Sequence, residues 1–183
     1  MKTLYHFTSV FHLKEIIERG SLARTRSQLK PLLNPRVVEG NYTDDNADYK
    51  PVVWLTDSLT PEKMGIDDAP FPEHDKTRIR LEIPMLPELG FLSWRSFADA
   101  NGADPDCRKR IERGMNHRSW YVTEQEVPLS AVTVIYDYHK RQAIPMPIAK
   151  DTLISLLGGI SEIHCRDYNV HSVEDWLKDF VTG

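Results

Sequence analysis

Leu4-Tyr5-His6-Phe7-Thr8-Ser9-Val10-Phe11-His12-Leu13-Lys14-Glu15-Ile16-Ile17-Glu18-Arg19-Gly20-Ser21-Leu22 opens the chain with a strand, a cap, a helix and a stop. Residues 4–8 combine aromatic and apolar side chains suited to a pleated surface. Ser9 offers a hydroxyl at the N-cap position. Val10, Leu13, Ile16 and Ile17 then recur at helical spacing, and Gly20 stands where a glycine ends a helix in the left-handed conformation. Leu22 is placed to pack back on what precedes it.

Outward from this unit, residues 23–50 are polar and broken by Pro31, Pro35 and the run 40–48. They read as a long loop with one helical turn at 29–33. Residues 52–56, Val-Val-Trp-Leu-Thr, form a buried strand. Residues 57–64 turn into a short helix, with Thr60 as cap and Pro61 at its first position. Residues 77–83 alternate polar and apolar, a half-buried strand that Pro84 stops. Residues 94–118 are mixed and mainly polar, with a break at Gly102 and Pro105 and a helix at 106–113. Residues 120–127 and 131–136 are strands separated by Pro128, the first of them central in a sheet. The tail holds helices at 150–157, ending at Gly158-Gly159, and 173–181, capped by Ser172. Strand, helix, several strands and then helices make an α+β order rather than alternating βαβ units. The organisation expected is a domain over 1–140 and a helical extension over 141–183 packed on it. Neither standard glycine-rich phosphate loop is present, which argues against Rossmann and P-loop folds.

The 183 residues fit one domain, and 40% hydrophobic with 27% charged residues is ordinary for a globular protein. No run reaches the roughly 18–20 apolar residues that span a bilayer, and the first residues are too polar for a signal peptide. A cytoplasmic protein without membrane contact is expected. Cys107 and Cys165 fit a reducing compartment, and their surroundings lack zinc-ligand spacing, so no metal is expected. The net charge of −4 excludes a global basic field for nucleic acid. Charge is nevertheless uneven. Arg19, Arg24, Arg26, Lys30 and Arg36 occur with no acid among them, and Arg108, Lys109, Arg110, Arg113 and Arg118 with only Glu112. Such stretches are either solvated faces or phosphate-binding surfaces.

Three groups of residues could carry chemistry. His6 sits in the first strand, where a histidine is often a core or surface residue rather than part of a site. Trp54, with Thr56 and Ser58 after it, reads equally as core and turn. Glu124 and Glu126 fall on one face of a strand if alternation holds, about 7 Å apart. Two acids so placed are either a solvated face or, on a central strand beside a cleft, a site.

Together these stretches resemble the ADP-ribosyltransferase superfamily. Tyr5-His6-Phe7-Thr8 with the helix ending Ile16-Ile17-Glu18-Arg19-Gly20-Ser21-Leu22 looks like its opening, in a form similar to DarT-type toxins and to NAD-dependent RNA 2′-phosphotransferases. Val53-Trp54-Leu55-Thr56-Asp57-Ser58 looks like its second motif, and Glu124-Gln125-Glu126-Val127-Pro128 like its third, in the right order over residues 4–136. The resemblance implies a split mixed or antiparallel sheet with peripheral helices. It implies a transferase that cleaves the nicotinamide–ribose bond of NAD and passes ADP-ribose to a protein or nucleic-acid acceptor. Glu126 would be the key acid and Glu124 a general base. His6, Thr8, Arg24, Arg26, Trp54 and Thr56 would bind NAD, with His6 at the adenosine ribose, the arginines at the pyrophosphate and Trp54 on nicotinamide. No tyrosine for nicotinamide stacking follows residue 58 in a recognisable place, and the sequence after about residue 137 matches no part of the pattern. Two other readings accompany this one: an RNA 2′-phosphotransferase, which the acidic net charge disfavours, and a non-enzymatic domain of the same fold that binds or blocks a partner.

Overall fold

The computed structural model describes residues 1–25, 27, 50–62 and 75–147. Strand β1 (Thr3–Thr8) feeds directly into helix α1 (Val10–Arg19). Ser9 caps α1 by accepting from the His12 backbone N–H, and Gly20 ends it at φ 75° with its N–H on the Ile16 carbonyl. The expected strand, cap, helix and stop are present, with the strand beginning one residue earlier, at Thr3. Then come β2 (Ser21–Leu22), β3 (Val53–Thr56), β4 (Ile79–Pro84), β5 (Leu92–Ser93), α2 (Trp94–Ala100), α3 (Pro105–Glu112), β6 (Trp120–Thr123), β7 (Val127–Pro128), β8 (Val134–Asp137) and β9 (Gln142–Pro145). The α+β class stands. Among the described residues, no helix is long and apolar enough to cross a membrane.

Among the described residues, seven strands form one sheet in the order β5-β6-β3-β1-β4-β8-β9, and β2 and β7 form a separate ribbon. Every pairing is antiparallel. The expectation of a central strand at 120–127 needs correction: β6 is next to the edge and stops at Thr123. Thr123 itself ends it. Its hydroxyl donates to the Leu89 carbonyl and accepts from the Gln125 N–H at 3.1 Å, which turns the backbone out of the ladder. Helix α2 lies in a stretch expected to be irregular, and β9 lies beyond the expected boundary at 140. That boundary falls in the turn of the β8–β9 hairpin, so residues 142–145 belong to the sheet. The helices expected at 29–33, 150–157 and 173–181 lie outside the described residues, as does all but the start of the one expected near 60–64.

The sheet carries a core on each face. Leu4, Ile79, Leu81, Ile83, Val53 and Leu55 pack with Val10, Leu13 and Ile16 of α1 and with Leu22 and Val127 of the ribbon. On the opposite face, Val52, Trp120 and Val122 pack with Trp94, Phe97 and Ala98 of α2. Each buried aliphatic or aromatic side chain contributes roughly 1.5–3 kcal/mol relative to exposure.

The join between β3 and β1 differs from the others. The two strands pair at one position, Tyr5 opposite Thr56, whereas β1 and β4 pair along their whole length. One end of this join is stapled: Lys2 Nζ donates to Asp57 Oδ2 at 2.7 Å and to the Tyr121 hydroxyl at 2.6 Å. At the other end, toward Thr8, backbone pairing stops. The sheet is thus two half-sheets, β5-β6-β3 and β1-β4-β8-β9, joined at one backbone pair.

Candidate active site

The open end of this join gathers several of the expected site residues. Extending the register past Tyr5 and Thr56 sets Thr8 level with Val53, which pairs with Thr123. The C-terminal ends of β1 and β6 and the start of β3 therefore share this end of the sheet. Thr25 bridges to Val52 through two backbone hydrogen bonds of 2.7 Å, which brings Arg24 to the same end. Glu126 follows Thr123 by three residues and leaves the sheet there.

His6 takes up the backbone that the ladder abandons. Its Nδ1 lies 2.8 Å from the Trp54 carbonyl oxygen. A carbonyl only accepts, so Nδ1 carries the proton and Nε2 is left with a lone pair. Burial pushes the imidazole below the usual histidine range, and the hydrogen bond to Trp54 opposes that only in part. His6 is therefore a neutral ring that presents an acceptor nitrogen.

Glu126 is half-buried on the connection into β7. The ribbon fixes its surroundings: Ser21 pairs with Pro128, Leu22 with Val127, and the Leu129 N–H donates to the Gly20 carbonyl at 2.8 Å. Ser21 Oγ donates to Glu126 Oε2 at 2.7 Å, and the Arg19 guanidinium donates to Oε1. Ser21's hydrogen bond, followed by Arg19's, holds the carboxyl below the ordinary carboxylate range, and Arg24's charge adds to the effect. Glu126 is an ionised carboxylate at neutral pH.

Other expected members are placed differently. Glu124 does not share a strand face with Glu126, because the Thr123 turn breaks the alternation. Glu124 is exposed beside a small surface pocket lined also by Gly90, Leu92, Phe97 and Thr123. The residues expected to bind NAD are divided between the two faces of the sheet. His6 and Thr8 pair with Leu81 and Ile79, on the face of the α1 core. Trp54 and Thr56 pair with Val122 and Trp120, on the face of the α2 core. The Trp54 ring packs 4.9 Å from Trp94 and edge-on to Trp120 at 5.7 Å. Thr56 is fully buried, donating to Ser119 Oγ at 3.0 Å and accepting from the Ser58 N–H at 2.9 Å. Those are the environments of a core ring and a strand-ending turn. Arg24 is half-buried, and Arg26 lies outside the described residues.

Sequence reasoning missed Arg19 and Ser21 as partners of Glu126. Both flank the helix stop at Gly20, but the contacts span more than a hundred residues and no local signal predicts them. The basic cluster at 108–118 is partly consumed internally. Arg108 pairs with Asp99 and with Glu112, whereas Lys109, Arg110, Arg113 and Arg118 are exposed. The sequence matches no protein-family model and no curated protein, and no solved structure matches the fold.

Proposed function

We propose that this protein is an NAD-cleaving ADP-ribosyltransferase whose substrate sits at the open end of the β1–β3 join. The observation that carries the reading is an ionised carboxylate, Glu126, fixed at the end of the sheet where the ladder opens and His6 presents a lone pair. The split sheet is also the architecture that the sequence resemblance implies.

The chemistry follows from those groups. The C1′–N bond of NAD breaks with its electron pair leaving on the nicotinamide nitrogen. Positive charge then develops on the ribose, and a fixed carboxylate stabilises it without reorganising. Glu126 accepts from the ribose 2′-hydroxyl and faces that charge. The Nε2 lone pair of His6 accepts from a hydroxyl of the adenosine ribose, with Thr8 beside it on the strand. Arg24 meets the pyrophosphate, for which a planar guanidinium is suited. Trp54 contributes its carbonyl to His6, and its ring packs against Trp94 and Trp120 rather than on the nicotinamide. The acceptor's lone pair forms the new bond to C1′ as its proton passes to a base. Glu124, exposed two residues before Glu126, serves as that base. The acceptor is a macromolecule, protein or nucleic acid, and the exposed cations of α3 precede β6 on the way to it.

Nicotinamide release by the purified full-length protein tests the reading, with and without a cell lysate as acceptor source. Glu126→Gln is expected to lower the rate by about 10²–10³-fold. Release that persists in Glu126→Gln, or wild-type protein that neither binds NAD by calorimetry nor releases nicotinamide, overturns it.

A further inference from the structure

We infer that Ser21 is a positioning residue, holding the Glu126 carboxylate by Oε2 in the orientation that NAD cleavage requires. The assignment rests on the NAD-cleaving reading above and goes beyond it, because nothing in the motif resemblance gives Ser21 a role.

Two groups hold Glu126, and they differ in kind. Arg19 is a cation whose side chain is 53% exposed at the end of α1. A salt bridge so exposed is screened and conformationally costly to hold, so it fixes little. It also neutralises the negative charge that a developing ribose cation needs. Ser21 is neutral and half-buried, and its backbone is locked in the β2–β7 ribbon opposite Pro128. Its 2.7 Å hydrogen bond directs one carboxylate oxygen and leaves the full charge on the group. Leu22 and Val127, the next pair of the ribbon, are buried in the core, so the donor and the acceptor are anchored to the same rigid unit. Oε1 is then the oxygen that meets substrate, once NAD displaces the exposed guanidinium, and Oε2 stays with Ser21.

A role of this kind appears in turnover rather than in binding. Ser21→Ala is expected to lower kcat for nicotinamide release about tenfold with KM for NAD unchanged, the size of one hydrogen bond to a charged group. Ser21→Thr restores the hydroxyl and is expected to restore kcat to within about twofold. The Glu126 carboxyl resonance, identified by its loss in Glu126→Gln, reads the contact without any turnover. Its titration midpoint is expected to move upward in Ser21→Ala and to return in Ser21→Thr. Wild-type turnover with Ser21→Ala at the wild-type kcat overturns the assignment alone. So does a fall in kcat that Ser21→Thr fails to rescue while restoring the midpoint. Wild-type protein that releases no nicotinamide overturns the NAD reading, and the catalytic role of Ser21 with it.

Discussion

His6 shows how one side chain can stand in for a backbone hydrogen bond where a ladder is interrupted. The Trp54 carbonyl points at β1, where a continued ladder would give it a backbone N–H, and accepts from the His6 ring instead. Replacing His6 by Leu would leave that carbonyl without its donor, at a cost of about 1–3 kcal/mol. His6→Asn, which sets an amide nitrogen near the position of Nδ1, should lose less. The same bond carries a pH dependence. Burial holds the folded-state pKa of His6 below the ordinary histidine value of about 6.5, so the unfolded chain takes up the proton first. The contribution of neutral His6 is complete above about pH 6.5 and declines as pH falls toward the folded pKa. Urea midpoints at pH 5 and pH 8 should therefore differ more for the wild type than for His6→Asn. Equal differences in the two proteins would show that His6 is not the titrating group. The histidine itself was legible in the sequence as a candidate. Its tautomer was not, because that is set by a carbonyl 48 residues away.

Elements that carry their own start and stop signals were the readable ones. Helix α1 has Ser9, three buried apolar residues at helical spacing and Gly20, and it forms over the span those residues mark. Gly20 has nothing within 4 Å of an added Cβ, so Gly20→Ala meets no clash and only the left-handed backbone at φ 75° resists it. A destabilisation of about 1 kcal/mol is expected by thermal or urea unfolding, with the helix intact by circular dichroism. A loss of several kcal/mol would mean that the turn into Ser21 also reshapes the ribbon. Helix α2 had equivalent signals: Ser93 accepts from the Ser96 N–H, and Trp94, Phe97 and Ala98 share its buried face. It was concealed by its brevity and by polar neighbours. Strand ends were the least legible feature. Thr56, Thr123 and Asp137 each accept the N–H two residues ahead and so close β3, β6 and β8. Threonine is otherwise a good strand residue, and only tertiary context makes Thr56 and Thr123 the last of their strands. That is why Glu124 and Glu126 alternate in sequence and not in space.

At the scale of the whole molecule, the α+β class could be read from the order of elements, but strand neighbours could not. Local pattern does not record that β6 lies beside β3, or that β1 stands between β3 and β4. The division of His6 and Thr8 from Trp54 and Thr56 is a consequence of that pairing, since residues opposite each other share a face. A sheet joined at one backbone pair relies on each half holding together separately. In the β1-β4-β8-β9 half, Asp137 does much of this. It is fully buried, its Oδ2 lies 3.2 Å from Arg78 Nη2, and its Oδ1 accepts from the His139 and Lys140 N–H groups at 2.9 and 3.1 Å. Asp137→Ala would strand the buried Arg78 guanidinium and undo the β8–β9 turn together. Breaking such a pair from one side costs about 3–5 kcal/mol, because a buried charge is left uncompensated. Asp137→Asn keeps an acceptor for the turn and should recover part of the loss. Hydrogen exchange by residue would locate the damage. If the half-sheets are coupled as weakly as their single pair suggests, protection in Asp137→Ala should fall first across β8, β9 and the start of β4. The β3–β6 ladder should follow only at the level of global unfolding. Equal loss in both halves would mean that the shared core beneath α1, rather than each half-sheet, is the cooperative unit.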